Sequence, residues 1–343
     1  MRAVQLHAWQ APPEVRDVPE PEAGPGEVLL RVGGAGLCHS DLHLMHWPAG
    51  TVPFTLPFTL GHEIAGTVAA VGDGTEGVDI GERVIVYGPR GCGRCRRCSL
   101  GEEHLCERRD LRHGTATGLG RDGGLAEYVA LPARLTVPIG DLDLVASAPL
   151  TDAGLTPYHA VKRALRDLPP GSSAVVIGVG GLGHVAVQLL KALSGCRVVA
   201  IDRRAEALEM ADRGGADVTL PADGLTAQDV RHAAGDRGAA LVIDCVGAEP
   251  TLALAAATVS PGGHVAVIGV GGGTLPFRFG AFPYETTAVF SNWGTRAELA
   301  EVVELARAGV IRIEVERTSL EDVPAAYERL EAGAVRGRVV AVP

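Results

Sequence analysis

Residues 173–183 read SAVVIGVGGLG, an apolar run that ends in glycines spaced as Gly178-x-Gly180-x-x-Gly183. A run that is apolar on both faces predicts a buried strand of a parallel sheet. The glycines allow a tight turn and a close approach of the backbone to a ligand. The helix that follows would present its N-terminal N–H groups to phosphates. This context predicts a strand–turn–helix unit that binds a dinucleotide.

An acidic residue stands where such a unit contacts the ribose. Asp202 ends the next apolar run, RVVAID, 19 residues beyond Gly183. A carboxylate there accepts hydrogen bonds from the ribose hydroxyls and repels a 2′-phosphate, which favours NAD over NADP. Arg203 and Arg204 weaken this preference, because an arginine nearby can hold a 2′-phosphate. The expected cofactor site comprises Gly178, Gly180, Gly181, Leu182, Gly183, Asp202, Arg203, Val246, Gly269 and Val270.

The two halves of the chain differ in pattern. The first 150 residues contain short β-like runs separated by glycine and proline, which predicts a β-rich domain. After Pro149, apolar strands alternate with helices, which predicts a doubly wound parallel sheet and an α/β fold. The tail from Thr295 starts with a helix and ends in the strand-like RGRVVAVP, so we expect it to pack on the first domain. The predicted domains are 1–152 with 293–343, and 153–292.

The composition excludes several classes of protein. The 343 residues include 31 basic and 41 acidic side chains, a net charge of −10, which disfavours a nucleic-acid partner. Glycines interrupt the longest apolar run, residues 174–190, so we expect no membrane span. The first residues lack the apolar core of a secretory signal, which favours a cytoplasmic protein.

Four of the seven cysteines cluster as Cys92-x2-Cys95-x2-Cys98-x7-Cys106. Such clustering favours metal ligands over disulfides. Four thiolates at this spacing suit a closed, tetrahedral zinc site that holds a lobe of about residues 90–108 together. An iron–sulfur cluster is the alternative, because Cys-x2-Cys-x2-Cys also occurs in ferredoxins.

A second group of possible ligands is dispersed. Cys38 begins the segment CHSD, His62 lies in GHE, and Asp152 stands where the pattern changes. A cysteine, a histidine and a carboxylate can make a zinc site with an open fourth position, which is the catalytic arrangement. Sequence spacing alone does not join the three, and a lone cysteine or histidine is as often a packing residue.

These motifs together resemble the zinc-containing medium-chain alcohol dehydrogenases. The segment Gly61-His62-Glu63-x2-Gly66-x5-Gly72, the four-cysteine lobe and the glycine fingerprint occur in the order that this family shows. Residues 37–41, 150–159 and 293–296 are most similar to bacterial NAD-dependent secondary-alcohol dehydrogenases. The resemblance covers essentially the whole chain. It implies a Rossmann cofactor domain, a GroES-like catalytic domain, NAD, one catalytic and one structural zinc, and a homodimer or homotetramer.

The resemblance also implies residue roles. Cys38, His62 and Asp152 match the catalytic zinc ligands, and Glu63 matches a residue that can reach the metal when substrate is absent. Ser40 matches the hydroxyl that takes the alcohol proton, and His43 matches the end of a proton relay. Further matches are Asp41 as the partner of the zinc histidine, Thr156 as a neighbour of the nicotinamide, and His39 and Arg338 near the pyrophosphate.

The implied reaction is hydride transfer between an alcohol and NAD, giving a ketone or an aldehyde. The expected substrate is a small secondary or apolar primary alcohol, because the possible lining residues are mainly apolar. A polyol dehydrogenase, which needs polar groups for several hydroxyls, is the nearest alternative. A zinc-free quinone reductase and a protein without enzymatic activity are further alternatives. The expected substrate pocket comprises Trp47, Phe54, Phe58, Leu119, Phe282 and Trp293.

Overall fold

The structure is a computed structural model that describes residues 1–108, 116–235 and 237–343. The strands are β1 (Arg2–Leu6), β2 (Glu14–Asp17), β3 (Glu27–Gly36), β4 (Phe58–Thr59), β5 (Glu63–Val71), β6 (Arg83–Val86), β7 (Tyr128–Pro132), β8 (Thr136–Pro138), β9 (Ser173–Ile177), β10 (Arg197–Asp202), β11 (Val218–Pro221), β12 (Ala239–Asp244), β13 (Val259–Val267), β14 (Thr287–Phe290), β15 (Val315–Ser319) and β16 (Arg338–Val342).

The helices are α1 (His39–His46), α2 (Arg96–Ser99), α3 (Leu144–Ser147), α4 (Leu155–Ala164), α5 (Gly183–Leu193), α6 (Ala205–Arg213), α7 (Ala227–Ala234), α8 (Glu249–Thr258), α9 (Arg296–Arg307) and α10 (Val323–Glu331). Among the described residues, none of these helices is long and apolar enough to cross a lipid bilayer.

The chain divides into two compact units. Unit 1 comprises Met1–Leu155, Gly294–Arg307 and Ile313–Pro343, and unit 2 comprises Thr156–Trp293 and Ala308–Arg312.

Unit 1 is built around a mixed sheet in the order β15-β16-β3-β5-β6-β8, with β7 also paired to β3. The long strand β3 is antiparallel to β5, β7 and β16, so it joins the N-terminal and C-terminal parts of the chain. The helix α1 follows β3 directly. The sequence did not predict this helix, because eight residues with histidines at both ends carry no clear apolar period.

Unit 2 is a six-stranded parallel sheet in the order β11-β10-β9-β12-β13-β14. Every residue of the first strand, Ser173–Ile177, is buried, as the apolar run predicted. Helices α5 to α8 alternate with the strands, and the strand order reverses between β9 and β12. The α/β fold with a doubly wound parallel sheet is therefore confirmed, and ligands of such sheets bind at the carboxyl ends of the strands where the order reverses.

Candidate active site and zinc centres

The four clustered cysteines meet in one small lobe of unit 1. Their sulfur atoms all lie within 4.8 Å of one another. The Sγ atoms of Cys95 and Cys98 are 3.5 Å apart, and those of Cys95 and Cys106 are 3.9 Å apart. A tetrahedral zinc with four Zn–S bonds of about 2.3 Å requires separations of about 3.8 Å. Since an iron–sulfur cluster would hold its cysteine sulfurs much farther apart, the geometry fits a single zinc ion.

Backbone N–H groups donate hydrogen bonds to two of these sulfurs, which stabilises the negatively charged thiolate form. The N–H of Cys92 donates to Cys106 Sγ at 3.3 Å, and the N–H of Cys98 donates to Cys95 Sγ at 3.5 Å. Donation from Cys98, opposed by some burial, lowers the pKa of Cys95 to about 6. A thiolate is the form that binds zinc, so the loop geometry favours the ligating state.

Cys38, His62 and Asp152 also come together, in unit 1. One ligand atom from each lies within 4.8 Å of the other two, and all three side chains are buried. Cys38 lies between β3 and α1, and His62 lies just before β5. Asp152 follows a short 3₁₀ turn over Ala148–Thr151. Strands β3 and β5 are neighbours, which explains how residues 24 positions apart meet.

The separations in this group suit zinc. Cys38 Sγ lies 3.6 Å from Asp152 Oδ2, and His62 Nε2 lies 3.8 Å from the same oxygen. Zn–S, Zn–N and Zn–O bonds of about 2.3, 2.05 and 2.1 Å in tetrahedral geometry give about 3.6 Å for S···O and about 3.4 Å for N···O. Three protein ligands leave one tetrahedral position for water or substrate, which distinguishes this site from the four-cysteine lobe.

The imidazole of His62 is held by a carboxylate on its other nitrogen. Asp41 Oδ1 lies 3.1 Å from His62 Nδ1, and Asp41 is fully buried. Burial alone would lower the pKa of His62, but the charge of Asp41 and hydrogen bonds with Asp152, Asp41 and Cys38 raise it well above its usual value. A histidine binds zinc through its neutral ring, so metal binding at His62 is coupled to deprotonation. The hydrogen bond to Asp41 directs Nε2 toward Cys38 and Asp152.

Glu63 forms a buried ion pair with Arg338. Arg338 Nε donates to Glu63 Oε2 at 2.9 Å, and Arg338 Nη2 donates to Glu63 Oε1. The same Nη2 donates to Asp152 Oδ2 at 3.1 Å. The Cys38–His62–Asp152 group does not include Glu63 among the described residues, so its role as a metal ligand stays a prediction. The pyrophosphate role of Arg338 also stays a prediction, and its contact with Asp152 was not predicted.

Three polar residues that the sequence singled out, His39, Ser40 and His43, lie on α1, which begins directly after Cys38. Ser40 Oγ lies 3.6 Å from Cys38 Sγ. His43 is three residues further along the helix, so it shares a face with Ser40. The buried Nδ1 of His43 has no hydrogen-bond partner among the described residues. Burial and the nearby His46 lower the pKa of His43, so it can accept a proton at neutral pH. His39, at the start of α1, is exposed.

In unit 2 the glycine fingerprint forms the turn between β9 and α5. Gly178 has φ +84°, a conformation that strongly favours glycine. A Cβ at Gly183 would overlap the carbonyl oxygen of Gly178, so the third glycine is needed for packing of helix against strand. A Cβ at Gly180 would meet only the tip of Arg204, so this side of the turn is open to a ligand. Gly181 and Leu182 complete the turn before α5 begins.

Asp202 lies at the end of β10, beside this turn. Its Oδ2 accepts a hydrogen bond from the N–H of Val179 at 2.7 Å, and its Oδ1 accepts one from the N–H of Arg204 at 2.9 Å. Arg204 Nε is 3.5 Å from Oδ1, so Arg204 rather than Arg203 forms the ion pair. The carboxylate is thus fixed next to the glycine turn, where the sequence predicted a ribose contact.

Two loops follow β12 and β13, and they interlock through their backbones. Asp244 Oδ1 accepts hydrogen bonds from the N–H groups of Val246 and Gly247, both at 2.9 Å. The N–H of Gly269 donates to the carbonyl oxygen of Asp244, and a Cβ at Gly269 would overlap the backbone of Val246. The side chains of Val246 and Val270 are left exposed. This role of Asp244 was not predicted, because an acidic residue at the end of a strand has many possible roles.

The expected substrate-pocket residues are divided between the units. Trp47, Phe54, Phe58 and Leu119 belong to unit 1, and Phe282 and Trp293 belong to unit 2. Phe54 packs edge-on against Phe58 with 6.4 Å between ring centres, and Phe282 packs against Phe277 at 5.5 Å. Trp293 is buried and has a left-handed backbone with φ 54°. Thr156, the expected nicotinamide neighbour, is buried near the start of α4. The roles of these residues stay predictions.

Two family models match the chain. Residues 24–141 match the alcohol dehydrogenase GroES-like domain, and residues 181–308 match the zinc-binding dehydrogenase domain. The NAD-dependent alcohol dehydrogenase of Sulfurisphaera tokodaii is 35% identical over 354 residues, which cover 100% of both chains.

Solved structures agree with these matches. The alcohol dehydrogenase of the archaeon Aeropyrum pernix is 36% identical, covers 100% of both chains and has a TM-score of 0.92. An acetophenone reductase of Geotrichum candidum, solved with NAD, is 34% identical with a TM-score of 0.88, and covers 100% of this chain and 97% of its own. The GroES-like and Rossmann folds are thereby confirmed, and the chain belongs to the zinc-containing medium-chain alcohol dehydrogenase family.

Proposed function

We propose that this oxidoreductase interconverts small secondary or apolar primary alcohols with the corresponding ketones or aldehydes, with NAD as the hydride carrier. The observation that carries the proposal is the buried group of Cys38, His62 and Asp152, which offers one sulfur, one nitrogen and one oxygen at zinc-ligand separations. The relative from Geotrichum candidum is named as a reductase of acetophenone, which is a ketone, and this supports the interconversion of ketones and secondary alcohols.

We assign the two metal sites to different tasks. Cys92, Cys95, Cys98 and Cys106 would hold a structural zinc that orders the lobe, because four protein ligands leave no position for substrate. Cys38, His62 and Asp152 would hold the catalytic zinc, which acts when bound as a Lewis acid on the substrate oxygen. We also assign residues 1–152 and 293–343 to the catalytic domain, and residues 153–292 to the NAD-binding domain. The compact units differ from these bounds by a few residues and place Trp293 and Ala308–Arg312 in unit 2.

The chain's own residues then orient the reactants and move the proton. Ser40 Oγ would accept the proton of the alcohol hydroxyl while it gives up its own proton, and His43 would carry that proton onward toward solvent. The lowered pKa of His43 keeps this nitrogen able to accept a proton at pH 7. Asp41 holds His62 in the tautomer that leaves Nε2 for the metal.

The glycine turn and Asp202 would hold NAD. The N-terminus of α5 would face the pyrophosphate, and Asp202 would accept hydrogen bonds from the ribose hydroxyls. We expect NAD to be preferred over NADP, because the fixed carboxylate of Asp202 repels a 2′-phosphate. When bound, the nicotinamide supplies the hydride chemistry.

The direct test is NADH formation by the purified chain with matched primary, secondary and polyhydroxy alcohols, before and after dialysis against a chelator. We expect turnover with one apolar class, lost after chelation and restored by zinc. Turnover with polyhydroxy alcohols alone would favour a polyol dehydrogenase. In a second assay, oxidation of NADH or NADPH by an added quinone that survives chelation would favour the zinc-free reductase.

We further propose that the chain forms a homodimer or homotetramer through unit 2. Strand β14 lies at one edge of its sheet and, among the described residues, pairs only with β13. Phe277, Phe279, Tyr284 and Phe290 on and before this strand are 74–87% exposed, which is unusual for large apolar side chains. Sedimentation of the wild-type chain and of Phe290→Asp tests this proposal. We also place the protein in the cytoplasm, since its seven free cysteines suit a reducing compartment.

A further inference from the structure

Tyr327 is a buried tyrosine of α10 whose hydroxyl contacts Asp41, the carboxylate that holds the His62 ring. Its side chain is 2% exposed, and Oη donates to Asp41 Oδ2 at 2.9 Å. The two residues are 286 positions apart in sequence, and α10 lies against α1. Because the side chain is buried, its hydroxyl has little access to solvent, and the hydrogen bond to Asp41 satisfies this donor.

The hydroxyl completes the set of donors around Asp41. Oδ2 accepts from Tyr327 and also from the N–H of Cys38 at 3.0 Å, while Oδ1 faces His62 Nδ1. Two donors on one oxygen fix the plane of the carboxylate, and that plane determines where Oδ1 can hold the imidazole. Burial and the negative charge of Asp41 raise the pKa of Tyr327 well above its usual value, so the phenol stays a donor.

We propose that Tyr327 is a positioning residue for the catalytic metal: its hydroxyl fixes the Asp41 carboxylate, and the carboxylate fixes the His62 ring. This inference rests on the proposed metal site at Cys38, His62 and Asp152. It assigns the C-terminal helix α10 a part in holding the metal, although none of its residues is a ligand.

Tyr327→Phe removes the oxygen and leaves the ring in place. Without this donor, Asp41 Oδ2 keeps only the N–H of Cys38, and the His62 ring is held less firmly. Outer partners of metal ligands commonly contribute 10- to 100-fold to metal affinity. Because Tyr327 acts one step further out, we expect release of the catalytic metal to a chelator to be about three- to tenfold faster.

Tyr87→Phe is the matched control. Tyr87 is also fully buried in unit 1, but its Oη donates to the carbonyl oxygen of Gly294 at 2.7 Å. It therefore loses the same oxygen and the same kind of buried hydrogen bond without touching Asp41. Thermal unfolding of both variants would show that each folds.

The experiment uses the full-length protein with cobalt at the catalytic site and zinc in the four-cysteine lobe. We expect Tyr327→Phe to change the visible cobalt spectrum and to release cobalt faster, while the lobe keeps its zinc at the wild-type rate. Tyr87→Phe should match wild type in the cobalt spectrum and in the cobalt off-rate. An unchanged cobalt off-rate in Tyr327→Phe, or equal acceleration in both variants or at both metals, would overturn the inference.

A double-mutant cycle with Asp41→Asn tests whether Tyr327 acts on the cobalt off-rate through Asp41. If Tyr327 acts through Asp41, adding Tyr327→Phe to Asp41→Asn should change the cobalt off-rate much less than it does in wild type. Fully additive effects would contradict the inference. Wild-type protein that gives no cobalt spectrum at all would instead refute the metal site itself, so the two failures are distinguishable.

Discussion

Arg338 Nη2 donates to Asp152 Oδ2 over 3.1 Å while the same guanidinium holds both oxygens of Glu63. One buried cation thus serves two buried carboxylates, one of which is a proposed zinc ligand. Charged groups removed from water require such partners, because an unpaired buried charge is very costly. Burial raises the pKa of Glu63, and the charge and hydrogen bonds of Arg338 oppose that rise.

Arg338→Gln should therefore destabilise the protein strongly. The substitution leaves Glu63 and Asp152 without their buried cation, which commonly costs about 3–5 kcal/mol in the free energy of unfolding. Arg336→Gln is the control, because Arg336 pairs with Glu314 at the surface and such pairs contribute about 0–1 kcal/mol. Denaturant unfolding of both variants measures the difference. Equal, small losses would contradict the account of the buried pair.

Cys106→Ser should remove one of the two zinc ions. Three remaining thiolates cannot close the tetrahedral site, so the lobe should lose its metal and the unfolding temperature should fall by several degrees. Cys196→Ser, which alters a buried cysteine of unit 2, should keep both ions. Metal analysis of the dialysed proteins settles the point. Two retained zinc ions in Cys106→Ser would exclude the four-cysteine assignment.

Asp244→Ala should weaken NAD binding more than Asp244→Asn does. The carboxylate oxygen Oδ1 holds the N–H groups of Val246 and Gly247, and an amide oxygen can keep both bonds. With alanine, the part-buried N–H of Val246 and the buried N–H of Gly247 lose their acceptor, and we expect the Kd for NAD to rise about tenfold. Fluorescence titration with the cofactor gives the Kd for NAD of each variant. Identical affinities of Asp244→Ala and Asp244→Asn for NAD would show that the loop does not depend on the Oδ1 acceptor.

Asp202→Gly should shift cofactor preference toward NADP. Removing the carboxylate eliminates repulsion of a 2′-phosphate, and it frees Arg204 to bind that phosphate. We expect the ratio of kcat/KM for NADP to that for NAD to rise about tenfold or more. Asp223→Gly, at an exposed position of unit 2, serves as the control. An unchanged ratio in Asp202→Gly would argue against the ribose role.

Local sequence patterns predicted the parallel sheet and the four-cysteine lobe, because each depends on residues close together in the chain. The run before Gly178 and the spacing of Cys92 to Cys98 are of this kind. The dispersed metal group is different. Asp152 joins Cys38 and His62 only through tertiary structure, and its inclusion depended on family resemblance.

The supporting contacts could not be predicted from the sequence. Tyr327 and Arg338 reach Asp41 and Asp152 from 286 and 186 positions away. A tyrosine in an amphipathic helix and an arginine before a terminal strand carry no local sign of such partners. Their roles become visible only when the C-terminal segment is placed against β3 and α1.

Cys38→Ser removes the proposed thiolate ligand of the catalytic zinc, and Cys196→Ser is the matched control. The measurement is NADH formation with the best alcohol, made alongside the Kd for NAD on the same samples. We expect Cys38→Ser to lose turnover by about a hundredfold or more, because the catalytic zinc loses its thiolate, while NAD binds as in wild type. Normal turnover in Cys38→Ser would contradict zinc-dependent alcohol oxidation at this site.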